Sequence, residues 1–129
     1  GHNGIETRVG IAYTEGVVNR NMPLERFVDI TSTNAARLMG LYPQKGVLAP
    51  GSDADVTIID PQIDKVLSMD DLHLENYSIW EGWQIKGWPT TTVLGGKTVV
   101  ENGTMIADKP SGKFVERCIS SEVTKSPVC

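Results

Sequence analysis

Residues 27–60 read FVDITSTNAARLMGLYPQKGVLAPGSDADVTIID, and the chain changes character inside them. NAARLMG ends a helical stretch: Ala, Arg, Leu and Met favour helix, and Gly40 suits the left-handed position that closes one. Ser32 or Thr33 is placed to cap this helix at its start. After Tyr42-Pro43, the residues Gly46, Pro50 and Gly51 punctuate the chain. Asp53 and Asp55 then lead into Val56, Thr57, Ile58 and Ile59, a β-branched run that Asp60-Pro61 is expected to stop. Helix gives way to strand within this one stretch, and that order decides the fold class.

Upstream, Ile5, Val9, Tyr13 and Val17 recur four residues apart, the spacing of one helix face, although Gly10 and Gly16 weaken that helix. Pro23 sits where a first helical position belongs, with Glu25 in the first turn and Leu24, Phe27 and Val28 behind it. The first third therefore reads as three amphipathic helices in series. Downstream, Asp64 to Leu67 is a weaker strand candidate, and Gln84-Ile85-Lys86 precedes Gly87. TTTVL (90–94) and KTVVE (97–101) flank Gly95-Gly96, the pattern of a hairpin. Asn102-Gly103 makes another turn before Thr104-Met105-Ile106. Helices first and an antiparallel β unit second predict an α+β fold.

The 129 residues suffice for one domain, and 40% hydrophobic with 22% charged residues is a globular composition. A net charge of −4 and a pI of about 5.1 argue against a nucleic-acid or anionic-membrane surface. No apolar run has the length of a membrane span. The two cysteines, Cys118 and Cys129, form no zinc-type pair and would close only a short loop. Reduced thiols are expected, which fits a cytoplasmic protein. The opening GHNGIETR lacks an initiator Met, so the chain is expected to be a piece of something longer. The polar tail from Ser120 has no periodicity and reads as disordered.

Chemistry-bearing residues are sparse. Asp53 and Asp55 lack the glycine and distal Glu of an EF-hand loop and are read as turn acids that accept backbone N–H bonds. His2 and His73 are the only histidines and belong to no H-x-H or H-x-x-x-H pair. His73 has Asp70, Asp71 and Glu75 nearby, which reads as a surface pairing rather than a metal site. GGK at 95–97 lies in a hairpin, not at a strand-to-helix turn, so it is no phosphate loop. Arg117 beside Cys118 can favour a thiolate, but no histidine partner is near. Trp80, Trp83 and Trp88 crowd WEGWQIKGW and are read as core against the helices, with an interface as the alternative.

Four stretches carry a resemblance. GIETRVGIAYTEGVV (4–18) fits a G-[IL]-E-x-R segment. TSTNAARLMGL (31–41) is followed by KGVLAPGSDAD (45–55). YSIWEGWQIKGWP (77–89) and TTTVLGGKTVVENG (90–103) complete the set. Together they resemble the C-terminal portion of the cyclic amidohydrolases, in the hydantoinase and dihydropyrimidinase branch. The resemblance covers the chain to about Arg117.

That resemblance implies the terminal helices of a (β/α)8 barrel over residues 1–45 and the later part of a small β-sandwich over 46–117. A disordered tail then occupies 118–129. It implies a hydrolase that opens a cyclic amide C–N bond, such as a hydantoin or dihydropyrimidine ring, with two divalent ions, usually zinc. No position here matches the family's metal ligands or catalytic aspartate, so catalytic and metal residues in this chain are none and the piece alone is expected to be inert. Asp53 and Asp55 match a structural strand entry. Gly1, His2 and Asn3 fall where the branch lines its substrate pocket with backbone groups. The implied partners are the N-terminal remainder of the same enzyme and further copies in a homotetramer. The alternative is a non-catalytic dihydropyrimidinase-related protein that works through assembly.

Overall fold

A computed structural model describes residues 3–107 and 112–125. Helix α1 (Arg8–Ala12) runs on into a wide π turn, Tyr13–Val18. Helix α2 (Leu24–Val28), a second π turn (Asp29–Thr33) and α3 (Asn34–Met39) form one continuous rod. Each wide turn contains a threonine whose hydroxyl donates to the carbonyl four residues back: Thr14 to Gly10 at 2.9 Å and Thr31 to Phe27 at 2.7 Å. A hydroxyl there competes with the i→i−4 ladder and favours the wider i→i−5 spacing.

The three expected helices are therefore two rods. Thr33 does not cap a new helix. Its backbone is helical (φ −61°, ψ −49°) and its hydroxyl donates to the Gly46 carbonyl at 2.9 Å. Pro23 is the N-cap rather than the first helical residue, because its ψ of 143° is extended. Gly40 does close the rod in the left-handed region (φ 70°), and the Leu41 N–H returns to the Ala36 carbonyl at 2.8 Å.

Four antiparallel strands follow in sheet order β1-β2-β3-β4: Val56–Val66, Gln84–Leu94, Lys97–Glu101 and Thr104–Met105. Asp60-Pro61 does not end β1. The strand continues to Val66, with its register to β2 interrupted between Asp60 and Asp64. Pro61 lies in this interruption, where its missing N–H breaks no ladder bond. The Val56–Ile59 run and the weaker candidate from Asp64 are thus one strand. Gly95-Gly96 and Asn102-Gly103 make the expected hairpin turns, all four residues with positive φ.

Helix α1 and the π turn after it meet β2 through two glycine–aromatic contacts. A Cβ on Gly10 would lie 2.2 Å from the Trp88 ring, and one on Gly87 would lie 2.5 Å from the Tyr13 ring. Each glycine removes a side chain so that the partner's ring can rest on backbone. Thr14 adds a polar tie, accepting the Lys86 N–H at 3.0 Å. Ile11, Leu67, Leu72 and Ile85 form the core beside this junction, with Trp80 and Trp88 packed against it. Trp83 instead is 40% exposed and meets Trp80 edge-on at 5.0 Å, so the tryptophans divide between core and surface. In the stretch expected to be a disordered tail, the Cys118 N–H donates to the Gly40 carbonyl at 2.8 Å and Ser121–Lys125 forms a short helix, α4.

Candidate functional site

Two polar assemblies hold the acids and the histidine that the sequence singles out. The first centres on Lys45. Its ammonium lies 2.9 Å from Asp53 Oδ2 and also pairs with Asp55 Oδ2. Asp53 takes a further bond from Gln44 Nε2 at 3.1 Å, and Asp55 Oδ1 accepts the Gly95 N–H at 2.8 Å. The loop after α3, the entry to β1 and the β2–β3 turn are thereby tied to one cation. The Lys45 hydrogen bond, then that of Gln44, holds the Asp53 carboxyl below the usual aspartate range. Lys45 and then the Gly95 N–H do the same for Asp55, while both aspartates, Asp55 first, raise Lys45. Two carboxylates already saturated by a lysine and by N–H donors are poor metal ligands and poor bases. Their turn-forming role is thus extended to an ionic tie. Lys45 was the missing partner; two acids two residues apart at a strand entry signal that a cation is near without saying which.

The second assembly joins Glu6, just before α1, to His73. Glu6 Oε2 accepts the His73 backbone N–H at 2.9 Å, and Oε1 lies 2.7 Å from the ring Nδ1. His73 does not meet Asp70, Asp71 or Glu75 in this way. Asp71 is engaged elsewhere: it caps the turn Met69–Asp71 by accepting the Ser68 N–H at 2.9 Å and pairs with Lys65, whose hydrogen bond lowers its carboxyl. Glu6 escaped the sequence reading because its partner lies 67 residues away.

Asn3 is exposed at the start of the described chain, while Gly1 and His2 lie outside the described residues. Among the described residues no three His, Cys, Asp or Glu side chains converge as a metal cage. The one histidine there has its Nδ1 on Glu6. The donor set for a two-metal centre is therefore not met by these residues. Cys118 is an exposed free thiol. A hollow of about 340 Å³ opens between the α2 side and β1, walled by Val9, Phe27 and Ile59 with Lys45, Asp53 and Asp55 at its polar part.

The chain as a whole is similar to known proteins. The Amidohydrolase family model matches residues 1–99, and the chain belongs to that family. Within it, the chain is 43% identical over 115 residues to D-phenylhydantoinase of Escherichia coli O1:K1 / APEC, covering 88% of this chain and 25% of that protein. It is 37% identical over 118 residues to D-hydantoinase of Ralstonia pickettii, covering 91% and 26%. Among solved structures it resembles the D-hydantoinase (dihydropyrimidinase) of Thermus sp. with TM-score 0.83 and 42% identity over 88% of this chain and 25% of that one. It also resembles the L-hydantoinase (dihydropyrimidinase) of Arthrobacter aurescens with TM-score 0.78 and 37% identity, covering 83% and 24%. The chain thus spans about a quarter of the length of these relatives.

Proposed function

We propose that this chain is the C-terminal quarter of a hydrolase that adds water across a C–N bond of a cyclic amide, a hydantoin or a dihydropyrimidine ring. The carrying observation is the 43% identity to D-phenylhydantoinase sustained over 115 residues. In this reading α1 to α3 are the closing helices of the catalytic barrel, and β1 to β4 belong to its small β-sandwich. Two features support it. Leu24, Val28, Ile30, Leu38 and Met39 are exposed along the α2–α3 rod, a run of apolar side chains that calls for cover. Strand β1 also has a sheet neighbour on one side only among the described residues.

The chemistry is assigned to the other three quarters. Two divalent ions, zinc by expectation, belong there, since the described residues of this chain offer them no cage. This chain's part is architectural, with one contribution to the substrate: the backbone around Asn3, continuing Gly1 and His2, forms a wall of the ring pocket. A homotetramer in the cytoplasm completes the proposal. No helix among the described residues is long and apolar enough to cross a membrane.

The test is ring opening by the full-length protein, followed as loss of ultraviolet absorbance of hydantoin and 5,6-dihydrouracil. Turnover that stops on chelation and returns with zinc is the expected result. A folded full-length protein inert on both rings contradicts the reading and favours a non-catalytic assembly role.

A further inference from the structure

We propose that Glu6 and His73 form a clasp that positions the backbone at Asn3 as part of a pocket wall; this rests on the substrate-wall reading above. Glu6 uses both carboxylate oxygens on one residue, at 2.9 Å to the His73 backbone N–H and 2.7 Å to ring Nδ1. For the ring to donate to a carboxylate, Nδ1 must carry its hydrogen. Two bonds to one residue fix direction as well as distance, as a single bond does not. Both side chains reach the surface, 31% exposed for Glu6 and 71% for His73. A surface pair of this kind contributes little to global stability, so its consequence is local.

The local consequence follows from what lies on either side. Thr7 is 1% exposed and its carbonyl accepts the Ile11 N–H at 2.9 Å, so the chain is anchored there at the start of α1. Ile5, one residue before Glu6, has an 84% exposed side chain, and its carbonyl accepts only the local Arg8 N–H, at a long 3.4 Å. Among the described residues, Glu6 therefore makes the last tie to a distant part of the chain before Asn3, which is at most about 10 Å of chain away. The far side of the clasp is itself firm. Leu72, next to His73, is in the core, and the turn Met69–Asp71 is capped by Ser68 and Asp71. Glu6 and His73 are thus positioning residues: they set where the backbone at Asn3 points and touch no reacting atom.

The experiment compares Glu6→Ala, His73→Phe and His73→Asn in the full-length protein. His73→Phe keeps an aromatic ring without its donor, and His73→Asn keeps a side-chain N–H near the position of Nδ1. Amide hydrogen exchange at Asn3 and Gly4 is expected to accelerate in Glu6→Ala and His73→Phe and to return toward the parent in His73→Asn. In ring-opening assays the first two raise KM by up to about a hundredfold, the scale of a roughly 1 Å misplacement, with kcat and the melting midpoint nearly unchanged. Unchanged exchange and KM in both variants overturn the clasp. A fall in melting midpoint that tracks the loss of activity, without rescue by asparagine, also overturns it in favour of a purely structural pair. An unmutated protein that opens neither ring refutes the substrate reading instead, while the exchange data still decide whether the clasp orders the segment.

Discussion

Gly10 and Trp88 meet so closely that a Cβ on the glycine would lie 2.2 Å from the ring, whereas Leu38, near the end of the α2–α3 rod, is 52% exposed. Both regions are helical and both carry apolar side chains at helical spacing. The α1–β2 junction finds its partner within the chain: Ile85 is fully buried, Leu67 is 1% exposed, and Gly87 and Tyr13 repeat the Gly10–Trp88 contact in reverse. The α2–α3 rod buries Phe27 and Ala36 and leaves much of its apolar surface uncovered. Amphipathic spacing shows that a face is meant to be buried, but it does not say against what. One face is satisfied by residues some 75 positions downstream. The other stays largely uncovered among the described residues.

The contrast predicts unequal mutational costs, and the largest belongs to the closed junction. Ile85→Ala should destabilise the chain by about 2–5 kcal/mol, the range for a large-to-small change at a fully buried site, read from chemical denaturation. A value near zero would mean that the core is not where the cost of unfolding lies. Gly10→Ala should cost about 1–3 kcal/mol through overpacking on Trp88. In a Trp88→Ala background the same change should become neutral or favourable, because alanine is the better helix former by about 1 kcal/mol. An unchanged penalty in that background would show that the ring is not what the glycine accommodates.

The Lys45 tie supplies a smaller, pH-dependent term. Asp53, Asp55 and Asp71 are depressed in the folded state. Their contribution is therefore present above the ordinary aspartate value of about 3.9 and is lost as pH falls through their folded values. Lys45 is raised, so its contribution is complete below the ordinary lysine range and is lost only as alkaline pH passes its folded value. Asp55→Asn should accordingly narrow the loss of melting midpoint between about pH 6 and about pH 3. An acid transition of full size in that variant would remove the tie from the account. The smallest effect belongs to the open rod: Leu38→Gln should change the stability of this chain by no more than about 0.5 kcal/mol. In the full-length protein it should lower the melting midpoint clearly. Equal, negligible effects in both would mean that the rod is never covered.

The sequence made the order of elements legible because turn chemistry is local. Gly40, Gly95-Gly96 and Asn102-Gly103 each require positive φ and each has it. What it obscured was nonlocal. Gly10 looks like a weak point in a helix and Gly87 like the end of a strand, until Trp88 and Tyr13 are seen resting on them. Pro61 looks like a stop until the register gap leaves no N–H to be missed. Thr33 looks like a cap, but its hydroxyl has Gly46 to bond. The candidate site divides the same way. That Asp53 and Asp55 form a turn could be read from their spacing; that Lys45 joins them, and that Glu6 holds His73, could not.

We propose that this chain completes a ring-opening hydrolase whose chemistry lies in the other three quarters. The most direct test is to assay hydantoin and dihydrouracil hydrolysis, with bound metal measured alongside, for this chain alone and after refolding with the separately produced remainder. The expected result is no turnover and substoichiometric metal for the chain alone, and turnover on recombination. Near-stoichiometric metal with turnover by the chain alone would contradict it.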